Sequence, residues 1–166
     1  MLNSDFDLDI KRNYSLEKSN TFGLNEVSES FYIVESLKDL RNVLSENKTK
    51  KITVLGGGSN ILFTKFLAGL CLKINLKGIH IIEENKNDVI INVMAGENWH
   101  DFVQWSVNNG FGGIENLSLI PGLVGAAPIQ NIGAYGVELK DVFISCKALH
   151  IKNQTEKEFD KKSCLF

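Results

Sequence analysis

A run of nine residues in the first half of this chain begins with four mainly apolar residues, continues with three consecutive glycines and ends in a serine and an asparagine: Ile52-Thr53-Val54-Leu55-Gly56-Gly57-Gly58-Ser59-Asn60. Glycine lacks a Cβ atom and adopts positive φ angles, so consecutive glycines let several backbone N–H groups converge on one anion. The last two residues of the run add side-chain hydrogen-bond donors. The pattern predicts a loop that binds phosphate oxygens, and we interpret it as the diphosphate site of a dinucleotide cofactor.

The residues before this loop have the pattern of a β-α-β unit. Strands are predicted at residues 31–34 and 52–55, and Ser36 and Asp39 have the spacing of a helix capping box between them. The apolar face of the intervening helix is expected to contain Leu37, Leu40, Val43 and Leu44. A right-handed crossover places the glycine loop at the carboxyl end of the second strand, where open α/β sheets bind ligands.

The other predicted elements are short strands and one helix. The helix is expected to begin near Asn98 and to end at Gly110. Its apolar face is expected to contain Trp99, Phe102, Val103 and Val107. Strands are predicted at residues 61–64, 69–75, 79–84, 89–95 and 142–151. The first ~20 residues are aperiodic and are expected to form an extended arm or a surface helix.

A second glycine-rich segment, residues 112–136, contains both prolines and six of the fourteen glycines. A long irregular segment inside a compact domain is usually functional. Three glycines alone are equally typical of an ordinary strand connection that binds nothing. Two such segments in one small domain favour backbone contact with a ligand.

Motif spacing argues against a Rossmann motif, a Walker loop and a zinc site. The third glycine of a Rossmann motif would fall on Ile61, and the Lys-Ser/Thr pair of a Walker loop is missing. Cys71, Cys146 and Cys164 are odd in number and scattered, without a C-x-x-C pair. We therefore expect neither a disulfide framework nor a metal site.

Composition limits the class of protein. With 43% hydrophobic residues the chain can bury a core, and its net charge of −2 gives no reason to expect a nucleic-acid partner. No run of about 18 apolar residues is available to insert into a membrane. The acidic N-terminus lacks the pattern of a signal peptide, so we expect a cytoplasmic protein.

Several side chains near the glycine-rich segments are candidates for a role. His100 and Asp101 point about 100° apart on a helix, so they cannot form a dyad, and His100 is interpreted as a surface or capping residue. Glu115 and Asn116 either contact a ligand or, as we favour, hold the segment to the sheet through side-chain-to-backbone hydrogen bonds. Tyr135 is equally compatible with contact to a flat cofactor and with a place in the core.

Five segments, in this order, resemble the UDP-N-acetylenolpyruvoylglucosamine reductase family, flavoenzymes that make UDP-N-acetylmuramate for bacterial peptidoglycan. They are Asn20-Thr21-Phe22-Gly23, Leu55-Gly56-Gly57-Gly58-Ser59-Asn60, Ala95-Gly96-Glu97-Asn98-Trp99-His100-Asp101-Phe102, Gly112-Gly113-Ile114-Glu115-Asn116-Leu117-Ser118-Leu119-Ile120-Pro121-Gly122 and Pro128-Ile129-Gln130-Asn131-Ile132-Gly133-Ala134-Tyr135-Gly136. The match runs nearly unbroken from Asn20 to Cys164 and is therefore highly specific.

The resemblance implies an α+β, two-subdomain FAD-binding domain of the vanillyl-alcohol oxidase or PCMH type. Residues 1–77 would form a small β-α-β subdomain, and residues 78–166 a mostly antiparallel sheet with helices. The cofactor-binding residues that it implies are Leu55, Gly56, Gly57, Gly58, Ser59, Asn60, Ile120, Pro121, Gly122, Gly125, Ala126, Ala127, Ile129, Asn131, Ile132, Gly133 and Tyr135. Relatives carry serines where Ala126 and Ala127 stand here, so hydrogen bonds to FAD at these positions would come from the backbone.

The family reaction transfers a hydride from NADPH to the flavin and then to the enolpyruvyl group of a UDP-sugar, aided by an arginine, an acid serine and a glutamate. The arginine is expected in a Gly-Tyr-Arg-x-Ser stretch directly after a segment like Ser163-Cys164-Leu165-Phe166. We therefore expect no catalytic residue within residues 1–166, and a substrate-binding C-terminal domain that is missing or separate. A non-catalytic flavin-binding or interaction module is the alternative, and an oxidase of the same flavoprotein group is a third possibility.

Overall fold

The structure, a computed structural model, describes residues 8–166. It divides into two compact units, the first ending at Ile74 and the second comprising Asn75–Phe166. The strands are β1 (Lys11–Ser15), β2 (Val27–Val34), β3 (Ile52–Leu55), β4 (Leu67–Ile74), β5 (Ile79–Glu84), β6 (Val89–Val93), β7 (Gly133–Ala134), β8 (Val137–Glu138), β9 (Ser145–Leu149) and β10 (Glu156–Asp160). The helices are α1 (Leu37–Glu46), α2 (Trp99–Asn108), α3 (Ala127–Gln130) and α4 (Leu139–Val142), with 3-10 turns at Glu17–Ser19, Glu115–Leu117 and Val124–Ala126.

The first unit contains a four-stranded sheet in the order β1-β2-β4-β3. β2 and β3 both pair in parallel with β4, and β1 pairs antiparallel with β2. Because α1 connects β2 to β3, the predicted β-α-β unit is confirmed, with β4 inserted between its two strands. The carboxyl ends of three parallel strands therefore lie at the same end of the sheet, and the glycine loop follows directly from β3.

Helix α1 starts as predicted, but fewer residues of its apolar face are buried than the sequence predicted. The Ser36 Oγ atom accepts a hydrogen bond from the backbone N–H of Asp39 at 3.0 Å, which satisfies one donor of the first turn. Val43 and Leu44 are buried, whereas Leu37 is nearly half exposed. Burial of the helix is therefore concentrated in its later turns.

The core of the first unit explains one wrong prediction. Residues 61–64 were expected to form a strand, but they belong to no strand in the structure. Phe63 from this segment is instead buried with residues of the sheet and of the N-terminal region. The buried members of this core are Leu16, Phe31, Leu55, Phe63 and Cys71. The apolar character of the segment therefore reflects packing rather than strand pairing.

The second unit is antiparallel, but its described strands do not form one sheet. They form three separate two-stranded ribbons, β5-β6, β7-β8 and β9-β10. The strand predicted at residues 142–151 is shorter, because Val142 ends α4 and β9 begins at Ser145. β10 was not predicted, since four of its five residues are charged and the apolar alternation of a half-buried strand is absent.

α2 begins and ends as predicted. The Asn98 side chain caps the helix by accepting from the N–H of Asp101 at 3.1 Å, and Gly110 follows the helix with φ +79°. Val107 was expected on the buried face but is 51% exposed, whereas Ser106 is buried. A residue eight positions after Trp99 is rotated about 80° from it, while the seventh is nearly aligned with it.

The core of the second unit includes residues from the irregular segment 112–136, which also contains α3, β7 and two 3-10 turns. The Trp99 Nε1–H group is buried and donates to the carbonyl oxygen of Leu117 at 2.8 Å. The buried core residues are Trp99, Val103, Ile114, Leu117, Ala127 and Leu139. The segment is therefore fixed to α2 through its apolar residues rather than being a free loop.

Candidate cofactor site

The glycine loop of the first unit packs against the segment that follows β1. Gly58 is buried with φ +73°, and its carbonyl oxygen accepts a hydrogen bond from the N–H of Thr21 at 3.1 Å. A Cβ atom on Gly58 would lie 2.1 Å from the carbonyl oxygen of Ser19. Glycine is therefore required at position 58 by packing within the unit, independently of any ligand.

Asn20 fixes the segment on which the loop rests. Its buried side-chain amide donates to the carbonyl oxygens of Leu16 at 2.7 Å and Leu24 at 3.0 Å. Its Oδ1 atom accepts from the N–H of Leu24 at 3.1 Å. These bonds form a turn beneath Gly58. The residue pattern did not predict this supporting role, because Asn20 and Gly58 are far apart in the sequence. The one signal for Asn20 was that its segment resembles the reductase family.

The loop offers backbone donors to a ligand. Within residues 8–166, the N–H groups of Gly57, Gly58 and Ser59 donate no hydrogen bond to another protein group. Gly57 and Ser59 are partly exposed. Backbone N–H groups in partly buried positions are normally paired, and consecutive free donors form a concave site for anions. This donor set fits the diphosphate of FAD.

The sequence pattern did not indicate a positive charge that lies beside the loop. Lys73 pairs with Leu55 in the β3-β4 register, and its Nζ atom donates to the carbonyl oxygen of Gly56 at 2.6 Å. The side chain is half-buried, and this burial lowers the pKa of its ammonium group. Strand pairing brings Lys73 to the loop, so its position depends on tertiary structure.

In the second unit, the middle of the glycine-rich segment runs beside residues 95–97. The N–H of Val124 donates to the carbonyl oxygen of Glu97 at 2.9 Å, and that of Gly125 to Ala95 at 3.0 Å. A Cβ atom on Gly125 would lie 2.6 Å from the Cβ atom of Ala95. Gly125 therefore serves close backbone packing within the unit, and its N–H is already used.

The remaining expected cofactor residues of this unit follow along the chain. The 3-10 turn contains Gly125 and Ala126, and it follows Ile120, Pro121 and Gly122. Helix α3 contains Ala127 and Ile129, and Asn131 and Ile132 connect it to β7. Gly133 lies in β7, and Tyr135 lies between β7 and β8. These residues occur in the second unit, while residues 55–60 belong to the first. Their role in binding FAD stays a prediction.

Three large side chains of this segment are strongly exposed, among them Leu119 at 77%. Ile129 is 84% exposed and Tyr135 is 89% exposed. The exposure of Tyr135 excludes its interpretation as a core residue. An exposed apolar side chain and an exposed aromatic ring on one segment suit contact with a flat ring system.

Asn131 is held by neighbours on the other side of the β7-β8 turn. It has φ +39°, its Nδ2 atom donates to Glu138 Oε2 at 3.0 Å, and its Oδ1 atom accepts from the N–H of Lys140 at 3.1 Å. The Lys140 ammonium group also contacts the Glu138 carboxylate. Hydrogen bonds from Lys140 and then Asn131 lower the pKa of Glu138. The Asn131 side chain thus stabilises a left-handed backbone that few residues adopt.

His100 and Glu115 secure the segment through its backbone. The Nδ1 atom of His100 lies 3.0 Å from Ser118 Oγ and accepts from the N–H of Leu119 at 3.3 Å. Glu115 Oε2 accepts from the N–H of Gly113 at 2.5 Å, and backbone hydrogen bonds lower the pKa of its carboxyl group. Glu115 thus makes a side-chain-to-backbone hydrogen bond, but to Gly113 in its own segment and not to the sheet.

Metal ligation and membrane insertion have no support in the described part of the chain. Residues 8–166 contain no group of three or more His, Cys, Asp and Glu side chains placed to hold a metal ion. No helix among the described residues is long and apolar enough to cross a membrane.

Comparison with protein families matches residues 29–155 to the FAD binding domain family. This range is most of the chain and includes both glycine-rich segments. The expected α+β FAD-binding fold is therefore confirmed.

Curated relatives are reductases. The UDP-N-acetylenolpyruvoylglucosamine reductase of Flavobacterium johnsoniae is 49% identical over 159 residues, which cover 96% of this chain and 47% of the relative. Those of Amoebophilus asiaticus and Pseudomonas fluorescens are 46% and 44% identical, each over 96% of this chain and 48% of the relative. The chain thus spans about half the length of the curated relatives it matches.

A solved structure has the same fold. The UDP-N-acetylenolpyruvylglucosamine reductase (MurB) from Thermus caldophilus superimposes with a TM-score of 0.72 at 21% identity. The superposition covers 93% of this chain and 53% of that chain. The resemblance noted in the sequence is confirmed by these comparisons.

Proposed function

Because this chain belongs to the FAD binding domain family, we propose that it is the FAD-binding portion of an NADPH-dependent reductase that converts UDP-N-acetylglucosamine enolpyruvate to UDP-N-acetylmuramate. The observation that carries the proposal is the alignment of nearly the whole chain with reductases of that name. The product is a peptidoglycan precursor, so the proposed role lies in cell-wall synthesis and, through it, in cell shape and division.

The two units would act as the two FAD-binding subdomains. The N–H groups of Gly57, Gly58 and Ser59 would bind the diphosphate, and the exposed Ile129 and Tyr135 would contact the ring system. FAD, when bound, supplies hydride transfer from NADPH to the enolpyruvyl double bond. The chain's own contribution is to bind the cofactor and orient it, and the rigid packing of Gly58 and Asn131 supports that role.

Substrate chemistry would depend on groups that residues 1–166 do not match. The reductase arginine, acid serine and glutamate have no counterpart among these residues. Orientation of a substrate contributes about 7–11 kcal/mol to catalysis, so the chain alone is expected to reduce the UDP-sugar very slowly. The reading frame after Phe166 tests this point, because a Gly-Tyr-Arg-x-Ser motif there would supply the arginine.

A non-catalytic flavin-binding module is the second candidate, because the free backbone donors of the glycine loop fit FAD whether or not a substrate is reduced. Both candidates are expected in the cytoplasm, where NADPH and nucleotide sugars are available.

Anaerobic stopped-flow spectroscopy of the flavin-loaded chain distinguishes these functions. The reductase proposal predicts slow bleaching of the flavin by NADPH and little reoxidation by the UDP-sugar. Flavin that NADPH leaves oxidised would favour the non-catalytic module. Rapid reoxidation by the sugar would show that residues within 1–166 carry the substrate chemistry, and Glu115, Asn131 and Tyr135 would then be the first to substitute. Failure to bind FAD would contradict both functions.

A further inference from the structure

A half-buried cation lies beside the glycine loop of the first unit. Lys73 extends from the carboxyl-terminal part of β4, and its Nζ atom contacts the carbonyl oxygen of Gly56 at 2.6 Å. No carboxylate within residues 8–166 forms an ion pair with it. Removing a charge from water is unfavourable unless an opposite charge compensates it. A cation in this position is stabilised when an anion binds nearby.

The contact also determines how one peptide of the loop is oriented. The described peptide bonds are not cis, so the carbonyl oxygen of Gly56 and the N–H of Gly57 point in opposite directions. Because Lys73 holds the oxygen on its own side, the N–H of Gly57 is directed away from the lysine. Glycine residues leave such a peptide free to rotate, so the hydrogen bond removes much of this freedom.

We propose that Lys73 is a positioning residue for the diphosphate of the cofactor. Its ammonium group fixes the Gly56 carbonyl so that the Gly57 N–H stays available to the phosphate oxygens, and its charge adds a favourable field at the anion site. The residue acts through Gly56 and through charge, without touching the phosphates. This inference rests on the proposed FAD-binding function and adds to it a residue outside the glycine loop.

Substitution of Lys73 tests both parts of this role. Lys73→Met removes the hydrogen bond and the charge, Lys73→Gln keeps a donor without charge, and Lys73→Arg keeps both. Lys48→Gln is the matched control, because Lys48 is exposed and lies before β3, at the opposite end of that strand from the loop. Each purified chain, freed of flavin, is titrated with FAD and with riboflavin, which has no phosphate groups, and binding is followed by flavin fluorescence.

Lys73→Met is expected to weaken FAD binding by about tenfold or more, with Lys73→Gln intermediate and Lys73→Arg close to the parent. Riboflavin affinity is expected to stay unchanged, and the weakening of FAD binding by added salt is expected to be smaller in Lys73→Met. Lys48→Gln is expected to match the parent in both titrations.

Three results would overturn the inference. If Lys73→Met binds FAD with the affinity and salt dependence of the parent, Lys73 has no positioning role. The proposed function would remain intact in that case. Equal losses of FAD and riboflavin affinity would show a general structural defect instead. A parent chain that binds no FAD would contradict the inference together with the proposed function.

Discussion

Ser19 and Gly58 approach so closely that no side chain fits between them. A Cβ atom on Gly58 would lie 2.1 Å from the carbonyl oxygen of Ser19 and 2.8 Å from the Cα atom of Asn20. The left-handed φ of Gly58 disfavours any other residue as well. The conformation of the anion loop therefore depends on a segment from a distant part of the chain.

Gly58→Ala is expected to lower the stability of the first unit by about 2–4 kcal/mol, because it combines a clash with the backbone and a strained φ. Gly57→Ala is the matched control. Gly57 is not among the described glycines with positive φ, so its variant should keep the stability of the parent. It should lose FAD affinity, because Gly57 lies in the proposed diphosphate site. Urea unfolding and FAD titration measure the two effects. Equal stability of the two variants would contradict the packing role of Gly58.

Gly125→Ala is expected to destabilise the second unit by about 1–3 kcal/mol, since its methyl group would overlap with Ala95. Gly112→Ala serves as the control, because the nearest atoms to its Cβ, those of the Glu115 carboxylate, are 3.9 Å away. Both tryptophans, Trp99 and Trp105, lie in this unit, so their fluorescence during urea unfolding reports on it. A Gly125→Ala transition at the parent's urea concentration would exclude the close contact.

Cys71 is expected to be unreactive in the folded protein. Its side chain is fully buried, and burial raises the pKa of its thiol to about 11. At pH 8 only about one thiol in a thousand would be ionised at such a pKa, and the thiolate is the reactive form. In a Cys146→Ser/Cys164→Ser background, a thiol reagent should therefore label Cys71 only as urea unfolds the first unit. Prompt labelling without urea would show that the unit opens readily.

Acid is expected to loosen the turn around Asn131. The pKa of Glu138 is lower in the folded state than its usual 4.5. Ionised Glu138 therefore stabilises the fold above pH 4.5, and this stabilisation is lost as the pH falls through the lowered pKa. The side-chain amide signals of Asn131 in NMR spectra should shift with a midpoint below 4.5. Lys140→Met should move that midpoint upward, because the hydrogen bond from Lys140 is the largest cause of the shift. A midpoint unaffected by Lys140→Met would contradict this assignment.

FAD is expected to bind without a covalent bond. Neither the loop 56–60 nor the segment 112–136 contains a histidine or cysteine for attachment to the flavin. Acid precipitation of the loaded protein should therefore leave the flavin in the supernatant, where its absorbance measures recovery. Free FAD mixed with the flavin-free protein is the control for trapping, and yellow precipitate beyond that control would refute non-covalent binding.

Helix ends were predictable because their hydrogen bonds are local. Ser36 accepts from Asp39 and Asn98 from Asp101, three residues further in each case, so the sequence contains both partners. Burial was less predictable, as Val107 shows: its place on the helix is local, but the side that meets the core depends on the elements packed there.

The sequence by itself determined the α+β fold, the family and the presence of a phosphate-binding type of loop, since the lack of a Cβ atom and the freedom of φ belong to each glycine. Only the tertiary structure decided that Gly58 rests on Ser19, that Asn20 supports it and that Lys73 holds Gly56. These contacts depend on strand order and on the β3-β4 register, which join residues remote in sequence. The physical reason is that the free energy of such contacts arises when the whole unit packs, so no short stretch of the chain contains it.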